Sequence, residues 1–301
     1  MQLSIIVAAY NMSREIPRTL TSMLPPAQQG VENVDYEIIV VDNGSTDDLD
    51  LSGFEHAARP VRLVRHAPGE ALVTPVNAIN DAVRDAARGD QLLVCIDGAR
   101  MLSKCLIRRS LDVLAKDRDA VAFVPSFHLG EMLQKLAMEH GYNQEVEDRL
   151  LAGVDWQNDL DTLFGISVFA GCHHPQSHFR QNESNALCMT RESWDALGGF
   201  NEGFVRPGGG LCNLELFTRI VERPDALSVC LLGEGTFHQF HGGAATANPA
   251  YFKDSLDEYK TATGREYEYP QSTYLTDLGL SYGRAGVLGV WGLGAVDKKP
   301  S

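Results

Sequence analysis

The stretch EIIVVDNGSTDDL, residues 37–49, decides the fold. Four apolar residues, Ile38 to Val41, stop abruptly at Asp42, Asn43 and Gly44. An unbroken β-branched run ending in a polar turn is the pattern of a parallel strand buried on both faces. Open α/β sheets bind ligands outside the carboxyl ends of such strands. LSIIVAAYN, residues 3–11, repeats the logic upstream and ends at Tyr10 and Asn11.

The same alternation runs on along the chain. A helix is expected from Ser13, with Ser13 as its cap, to just before Pro25-Pro26. Arg62 to Arg65 reads as a third strand. Val76, Ile79, Ala82, Val83 and Ala86 recur at helical spacing, and Gly89 suits the stop. Gln91 to Ile96 is a fourth strand ending at Asp97. A helix over Leu106 to Ala115 leads to a strand near Ala120 to Pro125. Glu183 to Thr190 and Leu227 to Leu232 read as later core strands, and Glu215 to Glu222 as a helix. Strands alternating with helices predict a mostly parallel sheet covered on both faces. Residues 128–180 are polar and helical in places, and read as a subdomain or lid beside the ligand edge. The Gly-rich apolar end, AGVLGVWGLGAV, is expected to pack on the core, with a partner or membrane surface as the alternative.

Composition narrows the function. The chain has 301 residues, 44% apolar and 22% charged, enough for a substantial core. Its formal net charge of −14 argues against nucleic acid and anionic lipid as general partners. A nucleotide remains compatible, because a phosphate needs only local donors. The six cysteines form no C-x-x-C pair and several sit in apolar runs, so buried free thiols and a reducing compartment are expected. CHHPQSHF, with Cys172, His173, His174 and His178, matches no common zinc spacing. The chain enters a strand without a basic leader, and no apolar stretch reaches about 18 residues. A cytoplasmic protein is expected, at most touching the inner membrane face peripherally.

Four segments carry a resemblance. SIIVAAYN, IIVVDNGSTD, NAINDAVRDAARGDQLLVCIDGA and ESNALCMTRESWDALGGFNEGF, in this order, resemble family 2 glycosyltransferases. The resemblance implies a GT-A (Rossmann-like) α/β fold with a helical acceptor-side insertion. Residues 1–245 would form the transferase domain, 1–127 binding the nucleotide sugar and 128–245 the acceptor, with 246–301 as an extension packing on the core. It implies an inverting transfer from a nucleoside-diphosphate sugar to a glycan, glycolipid or small-molecule acceptor, in polysaccharide or glycoconjugate synthesis.

The resemblance also implies roles. Ala8, Tyr10, Asp42, Asn43, Asp97 and Arg100 would bind the nucleotide sugar; Asn43 replaces the second residue of the usual Asp-Asp pair. The family holds a divalent cation, Mn2+ or Mg2+, with Asp-x-Asp; here Asp97 keeps the first acid and Ala99 replaces the second. His238, with His241 as second choice, would complete that site; Arg100 alone neutralising the diphosphate is the alternative. Aligning Leu216 and Arg219 on the family's Leu-x-x-Arg puts Asn213 where an acid is expected. Glu215 is then the expected base, with Glu183 and Glu202 in reserve, and Trp156, Glu183 and Asn213 are expected on the acceptor side. The losses at Ala99 and Asn213 motivate a second reading, a non-catalytic nucleotide-sugar- or glycan-binding relative. A nucleotidyltransferase is disfavoured, because AAYNMSREIP lacks a glycine-rich phosphate loop.

Overall fold

The computed structural model describes residues 1–67, 74–170, 173–174, 177–181, 183–224, 226–242, 250–270 and 275–277, with the backbone alone at 173–174, 177–180 and 275–277. The strands are β1 (Leu3–Ala9), β2 (Tyr36–Asp42), β3 (Val61–Arg65), β4 (Gln91–Cys95), β5 (Arg100–Leu102), β6 (Val121–Phe123) and β7 (Ser126–Leu129). They continue with β8 (Ser167–Phe169), β9 (His173–His174), β10 (Ser177–Gln181), β11 (Leu187–Thr190), β12 (Ser228–Leu231), β13 (Thr236–His238) and β14 (Leu275–Asp277). The main sheet runs β14-β12-β6-β11-β4-β1-β2-β3. It is parallel except for β11, which lies antiparallel to both β4 and β6. The expected mostly parallel α/β sheet is therefore present.

Its strands are buried on both faces, which explains their unbroken apolar runs. In β1, Leu3, Ile5, Val7 and Ala9 enter one apolar layer. Ile6 and Ala8 enter the opposite one. β2 and β4 divide in the same way. Helices α1 (Ile16–Met23) and α3 (Leu106–Lys116) cover the first face with Ile16, Leu20, Ile107 and Leu111. Helix α2 (Pro75–Asp81), continued by a wider turn over 82–86, covers the second face with Val76, Ile79 and Val83.

The remaining helices are α4 (Gln134–Glu139), α5 (Gln144–Ala152), α6 (Arg191–Leu197), α7 (Cys212–Val221) and α8 (Tyr251–Thr263). α6 and α7 add Trp194, Leu216 and Phe217 to the second layer, and α8 adds Tyr259. The region around 128–180 holds α4, α5 and two strands of a second sheet, ordered β5-β13-β7-β8. β9 and β10 form a separate antiparallel pair.

Two local expectations need correction. Ser13 does not cap α1: its amide donates to Asp47 Oδ2 at 2.8 Å, and the helix opens at Ile16, with a proline at its start. Gly89 is not a left-handed helix stop. A Cβ there would stand 2.5 Å from the Ser4 amide nitrogen, so glycine lets this turn pass against β1. The extension after residue 245 begins with α8, whose apolar face is narrow. The five described cysteines other than Cys172 are buried free thiols. Cys172, the side chains of His173, His174 and His178, and the AGVLGVWGLGAV end lie outside the described residues. Among the described residues no helix is long and apolar enough to cross a membrane.

Candidate active site

The carboxyl ends of β1, β2 and β4 bring Tyr10, Asp42-Asn43 and Asp97 to one edge of the sheet. Past β4 the chain turns and pairs as β5 with β13, antiparallel, setting His238 opposite Arg100. The pairing persists beyond the strands: the Gln239 amide donates to the Ala99 carbonyl at 2.9 Å. Asp97 precedes β5 by three residues and His241 follows β13 by three, and the two side chains approach each other there.

These pairings create a compact cluster. His238 Nε2 lies 3.1 Å from Asp97 Oδ2, and His241 Nε2 lies 3.7 Å from Oδ1. The two Nε2 atoms are 3.1 Å apart. Donors each about 2.1 Å from a common ion stand roughly 3.0–3.4 Å from one another. The donor atoms of Asp97, His238 and His241 all fall within 4.8 Å of each other, so the set fits a divalent cation. Arg100 Nε donates to Asp97 Oδ2 at 3.0 Å, and the Ala99 amide donates to Oδ1 at 3.0 Å.

Electrostatics suit the same task. Burial opposes charge on Asp97, but His241, His238 and Arg100 outweigh it and hold the carboxyl well below its usual range. Burial, then Arg100, pushes His238 down to about 4, against the pull of Asp97. His238 is thus the neutral imidazole that ligation requires, and Arg100 is the permanent cation that keeps Asp97 ionised. His128 on β7 packs its ring 5.7 Å from that of His238. Burial first, then His238 and Arg100, pushes His128 down to about 3, so it backs the site as a neutral ring.

Two expected nucleotide contacts hold the turn together. Asp42 is fully buried; Oδ2 accepts from Arg65 Nε and Oδ1 from the Ser45 amide, each at 2.8 Å. Its carboxylate shapes the strand end, with one partner on each oxygen. Asn43 Nδ2 donates to the Thr74 carbonyl at 3.2 Å, tying the turn to the start of α2. Ala8 lies buried within β1, whereas Tyr10, just past its end, is half exposed with its ring open to a ligand. Asn11, the other polar residue at this strand end, is held at φ 53° while Oδ1 accepts from the Thr46 amide at 2.8 Å.

On the acceptor side the structure separates the expected residues. Glu215 on α7 is buried, and Arg219 takes both its oxygens, Nε to Oε1 at 2.6 Å and Nη2 to Oε2 at 2.8 Å. Arg219 also donates to the carbonyls of Leu197 and Gly199. Glu215 is therefore a packing clamp between α7 and the turn after α6, not a poised base. Trp156 is buried in a third apolar cluster with Leu160, Leu163 and Phe237, and borders a surface groove with Arg18 and Asp148. It is core, not an open sugar platform. Glu202 is exposed and accepts from Asn80.

Glu183 and Asn213 do meet. Asn213 Nδ2 donates to Glu183 Oε2 at 3.1 Å. Burial raises the Glu183 pKa; Arg100 and the Asn213 hydrogen bond oppose the rise, and Asp97 adds to it. Glu183 precedes β11, whose antiparallel pairing with β4 brings it to the Asp97 end of that strand, and it is only partly buried. Asn213 opens α7 behind a glycine-rich loop that α8 fixes. Tyr251 Oη accepts from the Gly210 amide and donates to the Pro207 carbonyl. Gly210 has φ 56°, and a Cβ there would collide with Glu258 Oε2.

The chain belongs to glycosyl transferase family 2, whose model matches residues 4–168. Among curated proteins none matches its sequence. Its fold is that of solved GT-A glycosyltransferases. S. aureus TarS 1-349 in complex with UDP-GlcNAc superposes with a TM-score of 0.53 at 15% identity, covering 87% of this chain and 68% of that one. Glucosyl-3-phosphoglycerate synthase from Mycobacterium tuberculosis, in complex with Mn2+, UDP-glucose and phosphoglyceric acid, gives 0.50 at 20% identity, covering 89% and 81%. Mannosyltransferase PcManGT from Pyrobaculum calidifontis, in complex with GDP-Man and Mn2+, gives 0.50 at 15%, covering 87% and 61%. The chain spans 40% of the longer TarS chain. The family match ends before Glu183, Asn213, His238 and His241, so those positions rest on this chain's own geometry.

Proposed function

We propose that this protein transfers a sugar from a nucleoside-diphosphate sugar to an acceptor hydroxyl with inversion, in polysaccharide or glycoconjugate assembly. The observation carrying this reading is the cluster of Asp97, His238, His241 and Arg100 at the ligand edge of a family 2 fold. Tyr10 and the Asn43 turn receive the base and ribose, within a donor-binding half spanning residues 1–127. Asp97, His238 and His241 would hold a divalent cation, which when bound supplies positive charge to the leaving diphosphate. Arg100, fixed by Asp97, faces the same charge from the protein side. Residues 128–245 receive the acceptor, a glycan, glycolipid or small molecule. Solved relatives of the same fold contain Mn2+ with UDP- or GDP-sugars, which supports a nucleotide-sugar donor and a metal here.

The test is nucleoside diphosphate release from a panel of UDP- and GDP-sugars, with Mn2+, with Mg2+ and with chelator, in the presence of mixed acceptor glycans. Release that depends on metal and acceptor is expected. Donor binding without release under any of these conditions would favour the non-catalytic relative that Ala99 and Asn213 suggest.

A further inference from the structure

A sugar can join a hydroxyl only if something takes the hydroxyl proton as the bond forms. The carboxylates near the ligand edge can be tried in turn. Asp97 is engaged by Arg100, the Ala99 amide and the two histidines. Asp42 has one oxygen on Arg65 and the other on the Ser45 amide. Glu215 has both oxygens on Arg219. Glu202 is an exposed surface carboxylate on Asn80. The Cys212 thiol is buried, and burial first, with nearby carboxylates, pushes it beyond any useful range.

Glu183 differs on each count. It lies just ahead of β11, which runs antiparallel to β4 with Leu187 opposite Val94, so the chain brings it to the carboxyl end of β4 where Asp97 stands. It keeps solvent contact, so an acceptor can reach it. Among the described residues its hydrogen-bond partner is Asn213, on Oε2 alone. We propose that Glu183 is the general base of this transferase, with Asn213 as the positioning residue that turns its carboxylate toward the acceptor. The proposal rests on the glycosyl-transfer reading above and assigns the proton within it.

The step balances as follows. The acceptor O–H bond breaks and its proton passes to the Glu183 carboxylate. The oxygen's electron pair forms the new bond to the anomeric carbon. The bond from that carbon to the diphosphate oxygen breaks, and the diphosphate leaves with the electron pair. Glu183 then returns its proton to solvent. Burial favours a carboxyl that accepts a proton more readily than a surface glutamate does.

Two variants test this. Glu183→Gln keeps size and the Asn213 contact but cannot take a proton. With a donor sugar and acceptor that the wild type turns over, Glu183→Gln is expected to lower kcat about 100- to 1000-fold. Its donor affinity, measured by calorimetry, should stay within about threefold. Adding Asn213→Asp to Glu183→Gln places a new carboxylate beside the lost one and should restore at least tenfold of that rate. Wild-type kcat in Glu183→Gln would overturn the proposal, as would a loss confined to donor affinity or no recovery in the double variant. Wild-type protein that binds donor but never releases nucleoside diphosphate would instead overturn the transfer reading, and this proposal with it.

Discussion

Two imidazole nitrogens 3.1 Å apart with one carboxylate beside them form a nitrogen-rich cation site. Magnesium prefers an all-oxygen shell, whereas manganese, cobalt and zinc accept imidazole. Titration calorimetry of the isolated protein should therefore show Mn2+ or Co2+ binding well ahead of Mg2+. Removing a ligand should cost at least as much as the about 10- to 100-fold expected for a supporting residue, so His238→Ala and His241→Ala should each weaken Mn2+ by that factor or more. Equal affinity for Mg2+ and Mn2+, or an unchanged His241→Ala, would contradict this donor set. Asp97 and His238 are legible in the sequence from motif order. His241 emerges only as an alternative to His238, because a cross-strand register decides that both face one point. The Glu183 and Asn213 pair is 30 residues apart in sequence, and no local period connects them. Glu215, the expected base, is instead held by Arg219 in this structure. Arg219 follows it by four residues on the same helix face, and that spacing is itself the signal of an ion pair.

The strands and helices of the main sheet are readable because each apolar run obeys one rule, burial on both faces or on one stripe. The second sheet escapes that rule. β5, β8 and β13 have three residues each and β7 four, too short for any period to show. Yet β5 and β13 carry the site, since their register sets His238 opposite Arg100. α7 is held by the Glu215–Arg219 pair, which also satisfies the carbonyls of Leu197 and Gly199. Breaking a buried pair costs about 3–5 kcal/mol, less here because Arg219 is a quarter exposed. Glu215→Gln should thus lower stability by about 1–3 kcal/mol in urea unfolding. The folded fraction should keep kcat within a few-fold, an outcome incompatible with Glu215 acting as the base.

Across the whole molecule, a buried carboxylate, Glu147, ties the helical insertion to the nucleotide half. Glu147 on α5 is fully buried, and burial raises its pKa against the pull of the Phe240 amide and Arg14. Its Oε2 accepts from the Phe240 amide at 2.7 Å, within the loop between His238 and His241. Its Oε1 accepts from Arg14, which precedes α1 and also reaches Asp148 and the Phe240 carbonyl. The loop bearing both histidines is thereby fixed by the insertion and by the turn after β1 at once. Glu147→Ala removes that acceptor and leaves Arg14 and the Phe240 amide short of a partner. A loss of about 2–4 kcal/mol in stability is expected. Mn2+ affinity should fall as well, although Glu147 touches no ligand atom, because the histidines lose their fixed spacing. A double-variant cycle with His241→Ala separates the two effects. If Glu147 acts by positioning the loop, it should cost little further Mn2+ affinity once His241 is gone. Additive losses in that cycle would mean that the insertion stabilises the fold without setting the geometry of the site.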